Sequence, residues 1–446
     1  MLIKNAIIVN EGQSSKGSVL VIGNEIAAIY KENDILPEDA DVIDAEGMYL
    51  LPGVIDDHVH MRDPGLTHKA DMESETLAAA AGGVTSVMDM PNVVPQTTTM
   101  SHWHKRMEYA KDHCHVNYAF YLGATNDNLE EIKKIDIHRI PALKLFMGSS
   151  TGGMLVDREE MLRNIFKECP TLIMTHCEDT ARINQRMAEA KAKYGEDPDV
   201  TLHPWIRDDE ACYMSSALAV RLAKETGARL HIAHITTQKE LSLLPSTNNS
   251  NNRENKITAE VCPQHLHFQE SDYQAKGTLI KCNPSIKSKR DKEALQEALR
   301  NGTINIVGTD HAPHLLKEKE GGAQKAVSGM PLVQFSLPLM LTLANQGLCS
   351  MERVVEVMCH NPAILFRINK RGFIRPGYRA DLTLVRPERW KVKREDVLSK
   401  CGWSPLENET LEWRIQQTWV NGQCVFSQST GINKKVLGES LTFGEE

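Results

Sequence analysis

Apolar and polar positions follow two rhythms along this chain. In the first fifty residues, apolar positions alternate with polar ones at 2–9, 18–22 and 25–30, and Gly23-Asn24 separates the last two runs. Alternation with period two marks half-buried strands, and Gly-Asn between such runs marks a hairpin turn. From Leu51 the rhythm becomes a short apolar run, a polar loop and an amphipathic stretch, repeated. Eight runs predict buried strands: 54–59, 84–89, 116–122, 142–146, 171–175, 229–233, 256–261 and 304–308. Helical periodicity fills most of the intervals, as at 73–81, 101–113, 157–169, 208–226 and 288–301. Two further helical stretches follow at 332–347 and 351–366, then short strand patterns at 372–374, 381–385 and 414–426.

Eight buried strands alternating with helices predict an α/β fold, a (β/α)8 TIM-type barrel. A doubly wound open sheet is the structural competitor. It is expected to carry a Gly-rich phosphate loop after an early strand, and the sequence has none. The segments flanking the barrel resemble each other in length and alternation. Residues 1–50 and 367–446 are therefore predicted to be the two halves of one small β-sandwich domain, with the barrel over 51–366. The Asn-rich segment 246–255 is predicted to be an exposed, mobile loop.

Composition narrows the function classes. The net charge is −8 and no basic cluster is dense, which argues against nucleic acid as a partner. The ten cysteines are scattered, none in a Cys-x-x-Cys pair, and several sit in apolar runs, as in a reducing cytoplasm. The start, MLIKNAIIVN, lacks a cleavable signal pattern, and no apolar stretch is long enough for a bilayer, so no membrane role is expected.

The chemistry lies at the strand ends. His58 and His60 close the first run, and period two places both imidazoles on one side of the chain. Lys144 lies in the fourth run, His176 follows the fifth, His234 the sixth and Asp310 the eighth. Barrel enzymes carry their catalytic groups at these ends. Imidazoles and carboxylates suit zinc, which lowers the pKa of bound water to about 7. Four His and one Asp exceed the needs of one tetrahedral ion, so a two-metal site is expected, with ions roughly 3.5–4 Å apart. His265 and His267 repeat the spacing but are read as structural. His311 is read as pointing away from the site, and His102, His104, His113 and His115 as a solvated helix face and its exit.

Three strings carry a resemblance. Asp57-His58-Val59-His60-Met61-Arg62-Asp63-Pro64-Gly65, Asp89-Met90-Pro91-Asn92 and Thr309-Asp310-His311-Ala312-Pro313-His314 resemble the signature segments of class I-like dihydroorotases, metal-dependent barrels of the amidohydrolase superfamily. The resemblance spans nearly the whole chain, split β domain included. It implies a cytoplasmic enzyme that closes N-carbamoyl-L-aspartate to L-dihydroorotate with loss of water, reversibly, in the third step of de novo pyrimidine biosynthesis. Carried over, His58 and His60 bind one Zn2+, and His176 and His234 a second. Lys144, carboxylated by CO2, bridges them, although some relatives carry Asp there. Asp310 contacts a metal and is general acid and base in metal-hydroxide chemistry. Arg62, Asn92 and His314 hold the substrate carboxylate, and Asn283 and the backbone near Ser328 and Gly329 add contacts.

The chain departs from the family at Ser285, where proline is common, and at Gln334, where glutamate is common, changes that fall at the pocket rim and not among the metal ligands. Segments 148–153 and 317–322 are candidate mobile covers. The alternatives are another cyclic-amide hydrolase, such as an allantoinase or dihydropyrimidinase, or a non-catalytic dihydroorotase-like scaffold. The expected partner is the small-molecule substrate. A homodimer is common in the family, and some members associate with a transcarbamoylase.

Overall fold

The computed structural model describes residues 1–148, 153–245 and 256–444. The Asn-rich segment 246–255 and the interior of 148–153 lie outside the described residues.

The barrel is built from parallel strands that are buried along their whole length, as strands covered on both faces must be. Val54–Val59, Val84–Asp89 and Asn117–Phe120 pair in one run. Leu122–Gly123, Ala142–Phe146, Leu172–His176, Leu230–Ile232, Ile257–Val261 and Ile306–Val307 pair in another. The predicted third strand, 116–122, is interrupted at Tyr121, whose N–H turns to the Asp89 carbonyl at 3.2 Å. The circle closes where strand eight meets strand one. His60 N–H donates to the His311 carbonyl at 2.8 Å and His311 N–H to the His58 carbonyl at 3.2 Å. Thr309 Oγ1 adds a bond to Asp56 Oδ2 at 2.7 Å.

The outer helices start where the sequence carries caps. Asp71, Thr99, Asp179, Asp208 and Ser288 each accept a backbone N–H of the first turn. Residues 351–366 form one helical stretch whose register widens to a π turn over Glu356–His360, just ahead of Pro362.

The β-sandwich domain draws on both ends of the chain. Tyr49–Pro52 runs antiparallel to Leu382–Lys391, with Leu382 opposite Pro52 and Val385 opposite Tyr49. Ile3, Ile8, Val21, Leu50, Leu384 and Trp419 share its core. Two strand expectations change here. The pattern at 414–426 is a hairpin, Thr410–Val420 and Gln423–Ser427, turning at Asn421 (φ 50°) and Gly422 (φ 77°). Asn-Gly is the dipeptide such a turn requires. The pattern at 372–374 is not a strand. Gly372 has φ 78°, and a Cβ there would lie 2.6 Å from the Cys359 carbonyl oxygen.

A buried polar knot ties the sandwich to the barrel. Arg371 pairs with Asp381, and Asn117 Nδ2 of the third barrel strand donates to Asp381 Oδ2 at 3.1 Å. Asn421 donates through its N–H to Asp381 Oδ1 at 2.8 Å and through Nδ2 to Asn117 Oδ1 at 2.9 Å. Asp381→Ala leaves the buried Arg371 guanidinium with only the half-exposed Glu439, at 3.3 Å, as counter-charge and strips the Asn117 and Asn421 donors of their acceptor, so urea denaturation should show a loss of about 3 kcal/mol. A change below about 1 kcal/mol, the range of exposed pairs, would contradict this role.

Candidate active site

All twelve candidate site residues line one cavity of about 460 Å3 at the C-terminal ends of the strands. Around it stand the candidate metal ligands His58, His60, Lys144, His176, His234 and Asp310, and the candidate substrate contacts Arg62, Asn92, Asn283, His314, Ser328 and Gly329. Three of these residues leave their strands in the left-handed region: Arg62 (φ 67°), His234 (φ 36°) and Asp310 (φ 47°). Non-glycine residues pay for that conformation, and such strain collects at functional sites.

Hydrogen bonds fix which ring nitrogens face inward. His58 Nδ1 lies 2.9 Å from Glu260 Oε1, and His60 Nδ1 lies 2.8 Å from Asn92 Oδ1. Both oxygens accept, so both imidazoles carry their proton on Nδ1 and turn the Nε2 lone pair to the centre. Those lone pairs face Asp310 Oδ1, at 3.4 Å from His58 and 2.9 Å from His60. Burial lowers the pKa of both histidines, so the missing proton is not easily supplied. Burial works to raise the Asp310 carboxyl; positive charge at His58, His60 and Lys144 would lower it, and a cation held by the inward lone pairs would supply that charge in their place. Three acceptors thus converge on one point, which is the chemistry of a cation site.

The second half of the site repeats this logic. His176 Nε2 donates to Glu178 Oε2 at 2.9 Å, which turns Nδ1 toward His234 Nε2 at 3.0 Å. Two ring nitrogens so placed can share one proton at most. Glu178 stays ionised against its burial because Arg207 and His176 lie beside it. Lys144, which lines the same cavity, is fully buried, and its Nζ has no hydrogen-bond partner among the described residues. Burial lowers its pKa, since an unpaired ammonium is costly there. The donor set of imidazole and carboxylate fits zinc, and the partnerless Lys144 amine fits conversion to an anion between two cations.

Four functional residues escaped the sequence reading. Glu260 of the seventh strand holds His58 and also accepts the His234 N–H at 2.9 Å. Glu178 and Arg207 orient His176. Lys281 adds a cation to the cavity wall. An acidic residue inside the apolar run Ile257–Val261 was a usable signal for Glu260, because alternation turns it inward. Beneath the cavity, Asp57, His231 and Glu260 bring ligand-type atoms within 4.8 Å of one another. Gly308 makes room for this cluster, since a Cβ would lie 2.6 Å from both Asp57 Oδ1 and Glu260 Oε2.

The remaining histidines divide. His311 turns away from the centre as expected, with Nε2 2.8 Å from Glu75 Oε2. His115 is not on a solvated face: the C-terminal segment covers it, and its Nδ1 lies 2.7 Å from the Val436 carbonyl. Segment 317–322, expected as a mobile cover, is fastened. Lys319 Nζ donates to the carbonyls of Lys281, Val327 and Gly329 at 3.0, 2.8 and 2.7 Å. Asp197 accepts the Gly322 N–H at 2.8 Å.

Comparison with known proteins agrees with this geometry. The amidohydrolase family pattern matches residues 49–425. A dihydroorotase of Methanosarcina acetivorans is 32% identical over 98% of this chain and 94% of its own. One of Halobacterium salinarum is 34% identical over 87% of this chain and 89% of its own. Among solved structures, an L-hydantoinase (dihydropyrimidinase) from Arthrobacter aurescens superposes with a TM-score of 0.92 at 29% identity, covering 99% of both chains. A dihydropyrimidinase from Brevibacillus agri gives 0.89 at 25% identity, covering 100% of this chain and 99% of its own. Among the described residues, no helix is long and apolar enough to cross a membrane, and all ten cysteines are free.

The buried histidines set a pH dependence of stability. Burial lowers His231 and His265 to about 4, below the usual 6.5. The unfolded chain then binds more protons than the folded one between these values, so stability falls as pH falls through that window. In chelator-treated protein, the urea midpoint should drop between pH 7 and pH 5. The drop should shrink in His265→Gln, and a drop of unchanged size in that variant would contradict the neutral, buried state of that ring.

Proposed function

Because this chain belongs to the amidohydrolase family, a family of hydrolases, we propose that it is a zinc-dependent dihydroorotase. The substrate is L-dihydroorotate in ring opening and N-carbamoyl-L-aspartate in ring closure. The observation that carries this reading is the cationic corner beside the convergent acceptors. Arg62 is buried, donates through Nε to the Pro313 carbonyl at 3.1 Å and places Nη2 3.0 Å from His314 Nε2. With Asn92 and Asn283 it lines the same cavity as Asp310. A buried guanidinium next to a reacting centre suits a substrate carboxylate, which it can bind bidentately.

His58, His60 and Asp310 would hold one zinc ion, His176 and His234 the other, and Lys144 as its carbamate would lie between them. When bound, the pair supplies Lewis acidity toward water and toward the amide carbonyl. The chain's own groups do the rest. Arg62, Asn92 and His314 fix the carboxylate, which orients the ring. Asn283 Oδ1 is buried and has no partner among the described residues, so it is available to a ring N–H. Asp310, ionised at neutral pH, takes a proton from the attacking water and returns it to the departing ring nitrogen. The carbon–nitrogen bond breaks, the second proton of the water leaves to solvent and a new carboxylate forms; ring closure takes up that proton and reverses each step.

The rival reading, a hydantoinase or dihydropyrimidinase, draws on the structural neighbours. A neutral ring has no use for Arg62, whereas a ring carrying a carboxylate does. Turnover of dihydroorotate should exceed that of hydantoin and dihydrouracil. Arg62→Ala should lower kcat/KM for dihydroorotate about 10- to 100-fold, the worth of one or two hydrogen bonds to a charged group. Intact turnover in that variant, or preference for a neutral ring, would contradict the proposal.

A further inference from the structure

His314 stands between two cations. Its Nε2 lies 3.0 Å from Arg62 Nη2, and its Nδ1 lies 3.1 Å from Lys69 Nζ. Guanidinium and ammonium groups only donate. A neutral imidazole has one N–H and one lone pair, so only one of the two contacts can be a hydrogen bond. Protonation would not help, because the ring would then donate toward both cations. Burial, Arg62 and Lys69 hold the His314 pKa far below its usual value.

Geometry decides between the two contacts. Lys69 does not line the cavity, whereas Arg62 and His314 do. Lys69 comes from the loop after the first strand and is pinned by Glu318 Oε1 at 2.7 Å. Glu318 is itself fixed, since its Oε2 accepts the Leu315 N–H at 2.8 Å, and it lies too far from His314 Nδ1, at 3.7 Å, to accept a proton from it. The His314 backbone is held by Trp403 Nε1, which donates to its carbonyl at 2.7 Å. The Nδ1 contact is therefore built into the protein, while Nε2 faces the space a ligand can enter.

We propose that Lys69 is a positioning residue that holds His314 as the Nε2–H tautomer, so that His314 and Arg62 both donate to one carboxylate oxygen of an anionic cyclic amide. This rests on the reading of Arg62 and His314 as the carboxylate subsite. An incoming carboxylate turns a donor–donor contact into two charge-assisted hydrogen bonds. The pair is thus selective for anions by repulsion as well as attraction.

The test uses the full-length protein labelled with 15N-histidine, with His314 assigned by loss of its signals in His314→Gln. Long-range proton–nitrogen correlation at neutral pH should show His314 Nδ1 unprotonated and Nε2 protonated. Lys69→Met should give a mixture of tautomers. It should also raise KM for dihydroorotate about tenfold, one hydrogen bond's worth, with kcat nearly unchanged, and Lys69→Arg should restore both. An Nδ1–H tautomer in the unmodified protein would overturn the proposal. So would Lys69→Met with tautomer and KM unchanged. If the protein does not turn over dihydroorotate, the functional reading fails, and the tautomer measurement still decides the role of Lys69.

Discussion

One buried carboxylate holds the site in register. Glu260, from the seventh strand, takes the His58 Nδ1 proton and the His234 backbone N–H on the same oxygen, each at 2.9 Å. It thereby locks the first and sixth strands together and fixes the tautomer of one candidate ligand. Burial pushes its own pKa up, and Asp57 beneath it is pushed up too, by burial and by Glu260 itself. The fold has room for this cluster because residue 308 is a glycine. Outer partners of this kind orient ligands and raise their basicity.

From that anchor the rest of the centre follows. Orienting His58 and His60 through Nδ1 sends their lone pairs inward, where Asp310 already supplies negative charge. Orienting His176 through Glu178 does the same on the other side. Lys144, with no acceptor among the described residues, is a cavity-lining group whose ordinary charged form does not suit its surroundings. The substrate side has the opposite character: Arg62, Lys281 and His314 offer donors. The cavity therefore has a pole of acceptors and a pole of donors, which matches a reaction needing metal ions at one end of the substrate and a carboxylate grip at the other.

Much of this was legible in the sequence, for a local reason. A residue's place at the end of an apolar run is a property of a few neighbours, and a barrel converts that place into a position around one axis. The six candidate metal ligands meet in one cavity on that account, and the six substrate contacts, which the resemblance implied, line it with them. What was not legible depends on contacts distant along the chain. His115 looked solvated until Val436 was seen to cover it. Lys69 and Glu318 are far apart in sequence, and neither lies at a strand end. Segment 317–322 reads as a flexible cover, yet the Lys319 ammonium and the Asp197 carboxylate fasten it. Glu260 is the intermediate case, since alternation turned it inward but did not say what it would meet. Asn421-Gly422 was legible as a turn signal and was overrun by the strand pattern around it.

The most direct test of the whole account joins metal to chemistry in one sample. Chelator-treated protein would be titrated with zinc while bound metal and dihydroorotate turnover are measured together. The account predicts that turnover appears only as metal binds and saturates near two zinc ions per chain. Turnover without metal, or full metal loading without turnover, would contradict it.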